Sequence, residues 1–131
     1  MNGPPLRIGI VDDDEAVRDS LAVLLQSFGM QVHAFSSPSS YLDHATSFSA
    51  DCLVFDLHMP HMTGLELAEK LRSNGVGTPV IIFTGRADPF LAARMERAGV
   101  AFVLSKPVGD SDLIAAIRKA VARPCECPGC K

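Results

Sequence analysis

Long hydrophobic runs are missing from this sequence of 131 residues. Its strongest apolar run, residues 80–83, has the length of a strand and falls far short of the ~20 residues that a membrane-spanning helix needs. The N-terminus also lacks the charged segment and the long apolar segment of a signal peptide. We therefore predict no membrane association and, by default, a cytoplasmic protein.

An excess of basic residues is also absent. The sequence has 12 Lys and Arg against 15 Asp and Glu, which gives a formal net charge of −3. A standing surface for nucleic acid needs clustered Lys and Arg, so we predict that this chain binds no nucleic acid itself. With 47% hydrophobic and 21% charged residues, the composition is that of one ordinary globular domain.

Cysteines are few and unevenly placed, at Cys52 and near the C-terminus at Cys125, Cys127 and Cys130. This distribution does not resemble a disulfide framework, and Cys52, inside an apolar run, is predicted to be a small buried thiol. The terminal cysteines have three interpretations: a redox pair, a zinc site completed by a second chain, or a flexible end of minor function. We favour the last. A redox pair of the thioredoxin kind opens a helix after a strand, and these cysteines do not have that position.

Strand-like and helix-like segments alternate five times along the sequence. The predicted strands cover residues 6–11, 31–35, 52–55, 79–84 and 101–105. Helix starts are marked by a capping box and by two cap-plus-proline pairs, namely Thr63 with Glu66, Ser37-Pro38 and Asp88-Pro89. Most of the strands are continuously apolar, as in sheets covered on both faces, and helical crossovers between them imply a parallel sheet. We predict one doubly wound α/β domain over residues 6–122, between a tail at 1–5 and a Cys-rich tail at 123–131.

Polar side chains follow four of the predicted strands. Ligands of open α/β sheets bind at the carboxyl ends of the strands, and those ends carry Asp12, Asp13, Asp56, Thr84 and Lys106. Each residue alone has an ordinary explanation, such as an acidic helix N-terminus or a surface lysine. Their convergence on one edge of the sheet is what points to a functional site.

The three carboxylates at this edge need a positive partner. Like charges ~5 Å apart repel by roughly 3 kcal/mol per pair at an effective dielectric constant of 20. Lys106 can neutralise part of the charge, and a hard divalent ion can take the rest. Oxygen ligands without thiolates favour Mg²⁺. A carboxylate beside Mg²⁺ can accept a phosphoryl group.

Four motifs resemble the receiver domains of two-component signalling, across roughly residues 6–122. They are Val11-Asp12-Asp13, Asp56-Leu57-His58-Met59-Pro60-His61-Met62-Thr63-Gly64, Thr84-Gly85 and Lys106-Pro107. Each motif alone is weak, but all four occur in order on the appropriate elements. The segments around Asp12 to Arg18 and Ser105-Lys106-Pro107 resemble the FixJ-type branch in particular. The resemblance implies a flavodoxin-like (βα)5 fold whose parallel five-stranded sheet has the strand order 2-1-3-4-5.

The resemblance also implies roles for the residues in these motifs. Asp56 is implied to accept phosphate from a histidine kinase. Asp13, Asp56 and the backbone carbonyl of His58 are implied to contact Mg²⁺, with Asp12 acting mainly through water. Lys106, held by a cis bond to Pro107, is implied to pair with the phosphoryl group. Thr84 is implied to move toward the phosphate and report the modified state.

Further residues are implied to modulate the site or its output. Substitution of His58 or Arg86 is expected to change autodephosphorylation and not phosphoryl acceptance. The family's usual aromatic switch residue is replaced here by Val103, and Phe102 beside it faces the opposite side of a regular strand. Either the switch works without an aromatic side chain, or the fifth strand is locally irregular. A transition-metal site formed by the His58 and His61 side chains is a less favoured alternative.

The sequence leaves alternatives for activity and partners. We expect output through the surface of the fourth helix, fifth strand and fifth helix, including a possible homodimer, in a stand-alone domain or in part of a DNA-binding regulator. A phosphatase of the haloacid dehalogenase kind needs a second Asp where His58 stands. A receiver-like module used only for binding conflicts with the intact acidic residues. A flavodoxin conflicts with the acidic loop after the first strand.

Overall fold

The computed structural model describes residues 5–44, 49–85, 88–106 and 109–122. Strands and helices alternate along these residues as predicted. The strands are β1 (Arg7–Val11), β2 (Gln31–Phe35), β3 (Cys52–Asp56), β4 (Val80–Thr84) and β5 (Val100–Ser105). The helices are α1 (Glu15–Ser27), α2 (Pro38–His44), α3 (Gly64–Ser73), α4 (Ala92–Arg97) and α5 (Asp110–Ala122).

The five strands form one parallel sheet in the order β2-β1-β3-β4-β5. This confirms the predicted fold and strand order. In the register of the central strands, Asp56 pairs with Phe83, and Thr84 pairs with Ser105. The carboxyl ends of β1, β3, β4 and β5 therefore meet at one edge of the sheet.

Two hydrophobic clusters cover the two faces of the sheet. The face covered by α2, α3 and α4 buries residues such as Phe55, Leu65, Leu71, Ile82 and Met95. The face covered by α1 and α5 buries residues such as Ile10, Leu25, Val54, Ile81 and Ile117. Every residue of β3 and β4 is buried, because alternate side chains enter opposite clusters. The ends of these two strands are thus rigidly placed.

Local signals in the sequence fix the helix starts next to the sheet edge. Asp14 caps α1 by accepting hydrogen bonds from the amides of Ala16 and Val17. The predicted capping box of α3 is confirmed, with Thr63 accepting from the amide of Glu66 and Glu66 accepting from the amide of Thr63. Both loops at the site therefore lead directly into a capped helix.

The segment after β4 differs from the predicted helix. Asp88 accepts a hydrogen bond from the amide of Phe90, but residues Pro89–Leu91 wind as a 3-10 turn and α4 begins only at Ala92. The cap-plus-proline pair therefore starts a tighter turn, whose hydrogen bonds span one residue fewer than those of an α-helix. In the described parts of the chain, none of the helices combines the length and apolar character that crossing a bilayer requires.

The strand β5 contains an irregularity, but it does not exchange the faces of Phe102 and Val103. The register with β4 shifts between Val80 and Ile81, and it is regular from Phe102 onward. Phe102 packs in the cluster beneath α5. Val103 pairs with Ile82 and stays 44% exposed. The usual aromatic position is therefore occupied by valine.

Two arginines fasten α4 to α3. Arg72 on α3 donates to the carbonyls of Ala98, Gly99 and Val76 at 2.7, 3.1 and 2.8 Å. Arg94 on α4 makes a bidentate contact with Glu69 at 2.8 and 3.1 Å. These contacts hold a helix of only six residues that would have little stability alone.

Candidate functional site

Three aspartates meet at the carboxyl ends of β1 and β3. Asp12 and Asp13 directly follow β1, and Asp56 ends β3. One carboxylate oxygen from each lies within 4.8 Å of the others. Asp12 is 2% exposed and Asp56 is 7% exposed, whereas Asp13 is exposed. We call these three residues the acidic cluster.

Lys106 reaches the acidic cluster from the end of β5. Its Nζ atom lies 2.9 Å from Oδ1 of Asp56. Its backbone amide donates to the carbonyl of Thr84 at 2.8 Å, which ties the ends of β4 and β5 together. Thr84 itself is buried and lies one residue beyond Phe83, the register partner of Asp56. The structure therefore brings together the residues that the sequence placed at this edge.

The electrostatics of the cluster are unfavourable for ionised Asp12. Burial raises the pKa of Asp12 above its ordinary value, and the charges of Asp56 and Asp13 raise it further, against the hydrogen bond from Asp14 and the charge of Lys106. For Lys106, partial burial lowers the pKa. The hydrogen bond and charge of Asp56, with the charges of Asp12 and Asp14, outweigh burial, so the pKa of Lys106 is raised overall. The site therefore favours a bound proton or cation over an unneutralised negative charge on Asp12.

One carboxylate oxygen in the cluster is buried without a hydrogen-bond partner among the described residues. Oδ1 of Asp12 accepts a hydrogen bond from the amide of Asp14 at 2.9 Å. Oδ2 of Asp12 is buried and has no hydrogen-bond partner among the described residues. A buried, unpartnered carboxylate oxygen is costly, and a bound cation removes that cost. The all-oxygen donor set fits Mg²⁺.

We expect Asp12→Asn to stabilise the metal-free protein at neutral pH. The folded protein holds the Asp12 proton more tightly than the unfolded chain does. Stability therefore falls as pH rises from the ordinary carboxyl pKa of 3.8 through the higher value in the folded protein. The asparagine side chain is neutral, so it is not repelled by the carboxylates of Asp56 and Asp13. We therefore expect the free energy of unfolding in EDTA at pH 7 to rise by about 1–3 kcal/mol. Urea denaturation across this pH range measures both effects.

The matched control for this prediction is Asp43→Asn, which removes the same charge from an exposed position on α2. Equal stabilities of the two variants at pH 7 would show that burial and repulsion at Asp12 have no net cost. Addition of Mg²⁺ is expected to stabilise the parent and the Asp43 variant more than the Asp12 variant, since the last has lost a charged member of the cluster.

A close backbone approach at Gly64 was not foreseen from the sequence. The first residue of α3 donates its amide to the carbonyl of Leu57 at 3.0 Å. A Cβ atom placed on Gly64 would lie 2.5 Å from the carbonyl oxygen of Asp56. Gly64 thus lets α3 start directly beside the backbone of the acidic cluster. The signals in the sequence are a glycine at the first position of a capped helix and its place at the end of the motif that begins at Asp56.

Comparisons with known proteins agree with this geometry. Residues 8–118 match the family described as the response regulator receiver domain. Over 121 residues the chain is 40% identical to the transcriptional regulatory protein FixJ of Azorhizobium caulinodans, covering 92% of this chain and 57% of that protein. It is 37% identical over 121 residues to the response regulator protein TmoT of Ectopseudomonas mendocina, covering 92% and 55%. The crystal structure of FIXJ-N matches with a TM-score of 0.83 at 34% identity, covering 97% of this chain and 100% of that one.

The chain is a response-regulator receiver domain. The resemblance to the FixJ-type branch is confirmed by the relatives. Receiver domains are signalling domains and not classical enzymes. This receiver domain spans about half the length of the curated relatives it matches.

The other residues singled out from the sequence lie in the loop after Asp56, at the start of β3, or outside the described residues. The side chains of His58 and His61 are exposed in the loop after Asp56, and the group that the described residues offer to a metal is the acidic cluster itself, without either histidine. Cys52 is buried as predicted, and burial raises its pKa to about 12. Three predictions fall outside the described residues: the role of Arg86, the peptide bond to Pro107, and the terminal cysteines.

Proposed function

We propose that this receiver domain is a phosphorylation-controlled switch that accepts a phosphoryl group from a histidine kinase on Asp56. The observation that carries the proposal is the acidic cluster, with carboxylate oxygens within 4.8 Å of one another and Lys106 at 2.9 Å from Asp56. Asp12, Asp13, Asp56 and the backbone carbonyl of His58 would hold Mg²⁺, directly or through water. When bound, Mg²⁺ would neutralise charge on the phosphoryl oxygens.

The proposed transfer uses the side chains that surround Asp56. A carboxylate oxygen of Asp56 attacks the phosphorus of a phosphohistidine, so that a P–O bond forms while the P–N bond breaks and leaves its electron pair on the imidazole. Lys106 stabilises the negative charge of the phosphoryl group, because its ammonium already lies at hydrogen-bond distance from Asp56. Thr84 then donates its hydroxyl to a phosphoryl oxygen, from the buried end of β4.

We expect one phosphoryl adduct after incubation of the protein with acetyl phosphate and Mg²⁺. Acetyl phosphate supplies the phosphoryl group without a kinase, so the result depends only on this chain. Intact-mass analysis measures the adduct, and EDTA should suppress it. Asp56→Ala should give none, while Asp43→Ala, at an exposed site on α2, should match the parent.

The same experiment separates the proposed switch from the other candidate functions. Adduct formation that persists in Asp56→Ala would contradict the assignment of the acceptor. A chain that stays unmodified with Mg²⁺ and acetyl phosphate would instead be a module used only for binding. Sustained hydrolysis of a phosphoester with many turnovers would indicate a phosphatase, although His58, not an Asp, follows Asp56 by two residues.

The lifetime of the aspartyl phosphate is proposed to depend on His58. Its exposed side chain lies two residues beyond Asp56, where it can affect the approach of water. We expect His58→Ala to change the rate of loss of the adduct without changing its formation. His61→Ala, in the same exposed loop, is the control, and equal decay in both variants and the parent would contradict this role. On the sequence alone, we expect Arg86→Ala to change the same decay rate without changing formation of the adduct.

Output is proposed to use the surface of α4, β5 and α5, including contact with a second copy. Phe90, just before α4, is 92% exposed, and Val103 on β5 is 44% exposed. Since the aromatic position holds Val103, the response to phosphate would not use rotation of an aromatic side chain there. Some of the relatives, FixJ among them, are named as transcriptional regulatory proteins. On that basis, a longer protein that contains this domain would control transcription.

A further inference from the structure

Arg18 makes an unusual backward contact from α1 to the acidic cluster. Its Nη1 atom donates to the backbone carbonyl of Asp12 at 2.8 Å, in a partly buried position. That carbonyl belongs to the peptide unit that joins Asp12 to Asp13. Arg18 therefore holds the one peptide whose orientation sets the directions of two of the three carboxylates.

The other hydrogen bonds of Asp12 restrain its side chain and the peptide before it, but not the peptide that joins Asp12 to Asp13. The amide of Asp12 donates to the carbonyl of Phe35 at 3.1 Å, which anchors the preceding peptide to β2. Oδ1 of Asp12 accepts from the amide of Asp14 at 2.9 Å, which anchors the side chain. Arg18 restrains the peptide that follows. Together these bonds fix the backbone and side chain of Asp12, whose Oδ2 is buried and without a hydrogen-bond partner among the described residues, beside the other two members of the cluster.

The contact is not needed to begin α1. Asp14 caps the helix through the amides of Ala16 and Val17, and the amide of Arg18 makes an ordinary helical bond to the carbonyl of Asp14 at 3.0 Å. The guanidinium of Arg18 instead reaches back beyond the helix N-terminus to the loop. Its role is therefore directed at the acidic cluster and not at helix formation.

We propose that Arg18 is a positioning residue for the divalent cation, acting through the Asp12–Asp13 peptide. This inference rests on the proposed function, because it requires a cation at the acidic cluster. The guanidinium acts through the geometry of its hydrogen bond to a carbonyl. Lysine carries a single ammonium on a shorter side chain and does not reproduce that geometry.

The test compares metal dissociation constants between variants, measured for Mg²⁺ by calorimetry and for Mn²⁺ by electron paramagnetic resonance. We expect Arg18→Met to weaken binding about tenfold, as is typical when a residue that orients metal ligands is removed, and Arg18→Lys to recover little of the loss. The matched control is Arg118→Met, which also removes one positive charge. The guanidinium of Arg118 lies 5.8 Å from the centre of the Phe28 ring, near the C-terminal end of α1 and away from the acidic cluster. We expect this control to bind as the parent does.

Urea denaturation in EDTA keeps the test independent of stability, since binding is measured where every variant is folded. Equal dissociation constants for Arg18→Met and Arg118→Met would overturn the inference, as would a full, salt-sensitive rescue by Arg18→Lys, which would show a role for charge alone. Failure of the proposed function looks different. In that case the parent binds neither ion at the cluster, and Asp13→Asn changes nothing.

Discussion

Lys106→Met is expected to slow phosphorylation of Asp56 by acetyl phosphate by a factor of about 10²–10³, the usual effect of removing one donor that stabilises developing negative charge. The ammonium lies 2.9 Å from Oδ1 of Asp56, where a phosphoryl group on that carboxylate would meet it. Binding of Mg²⁺ should be unchanged or tighter, because the ammonium and the ion compete for the same carboxylates. Intact mass as a function of time gives the rate, and calorimetry gives the affinity.

The control for Lys106 is Lys119→Met, which removes the same charge from an exposed position on α5 and should leave both quantities unchanged. Parallel losses of rate and Mg²⁺ affinity in Lys106→Met would contradict the separation of roles, since Lys106 would then be maintaining the metal site. A rate within threefold of the parent would remove Lys106 from the transfer altogether.

Gly64→Ala is expected to lower the free energy of unfolding by about 3 kcal/mol, at the upper end of the usual cost of overpacking. The added Cβ would lie 2.5 Å from the carbonyl oxygen of Asp56 and 3.1 Å from Cβ of Phe55. Both neighbours belong to β3, which is buried along its whole length, so relief requires movement of the strand that carries the acceptor. Phosphorylation should therefore slow even where the variant is fully folded.

Gly77→Ala is the matched control, because a Cβ there meets no atom within 4 Å among the described residues. Urea denaturation should find this variant at least as stable as the parent, since alanine restricts the unfolded chain. If the two alanine variants were equally stable, the start of α3 would tolerate a shift away from β3, and the close approach at Gly64 would have no structural importance.

Much of the fold could be predicted because local patterns and the sheet topology agree. A continuously apolar run such as residues 80–83 predicts a strand that is covered on both faces, and the capping signals at Thr63 and Glu66 predict the start of a helix correctly. Because ligands of parallel sheets bind at the carboxyl ends of the strands, the sequence alone also predicts that Asp12, Asp56 and Lys106 lie at one edge.

What could not be predicted depends on distances between segments that are remote in sequence. The approach of Gly64 to Asp56 and the bond from Arg18 to the carbonyl of Asp12 arise from how helices dock on the sheet edge. No periodic pattern records such contacts. The difference in exposure between adjacent Asp12 and Asp13 likewise follows from the direction in which the chain leaves β1.

The start of α4 shows the limit of local signals. Asp88 and Pro89 form a correct cap, yet the next residues wind as a 3-10 turn and the α-helix starts at Ala92. The cap restricts only the first turn. The helix itself is held against α3 by the hydrogen bonds of Arg72 to Ala98 and of Arg94 to Glu69. Tertiary contacts therefore decide where α4 lies.

The role of Asp56 as acceptor is tested most directly by locating the phosphoryl group in the protein. After reaction with acetyl phosphate and Mg²⁺, reduction with borohydride converts an aspartyl phosphate to the corresponding alcohol, and fragmentation of peptides identifies the altered residue. We expect the altered residue to be Asp56 alone, in a reaction that EDTA prevents. Modification of Asp12 or Asp13, or of Asp56 to the same extent without Mg²⁺, would contradict the claim that the acidic cluster holds an ion while Asp56 accepts the phosphoryl group.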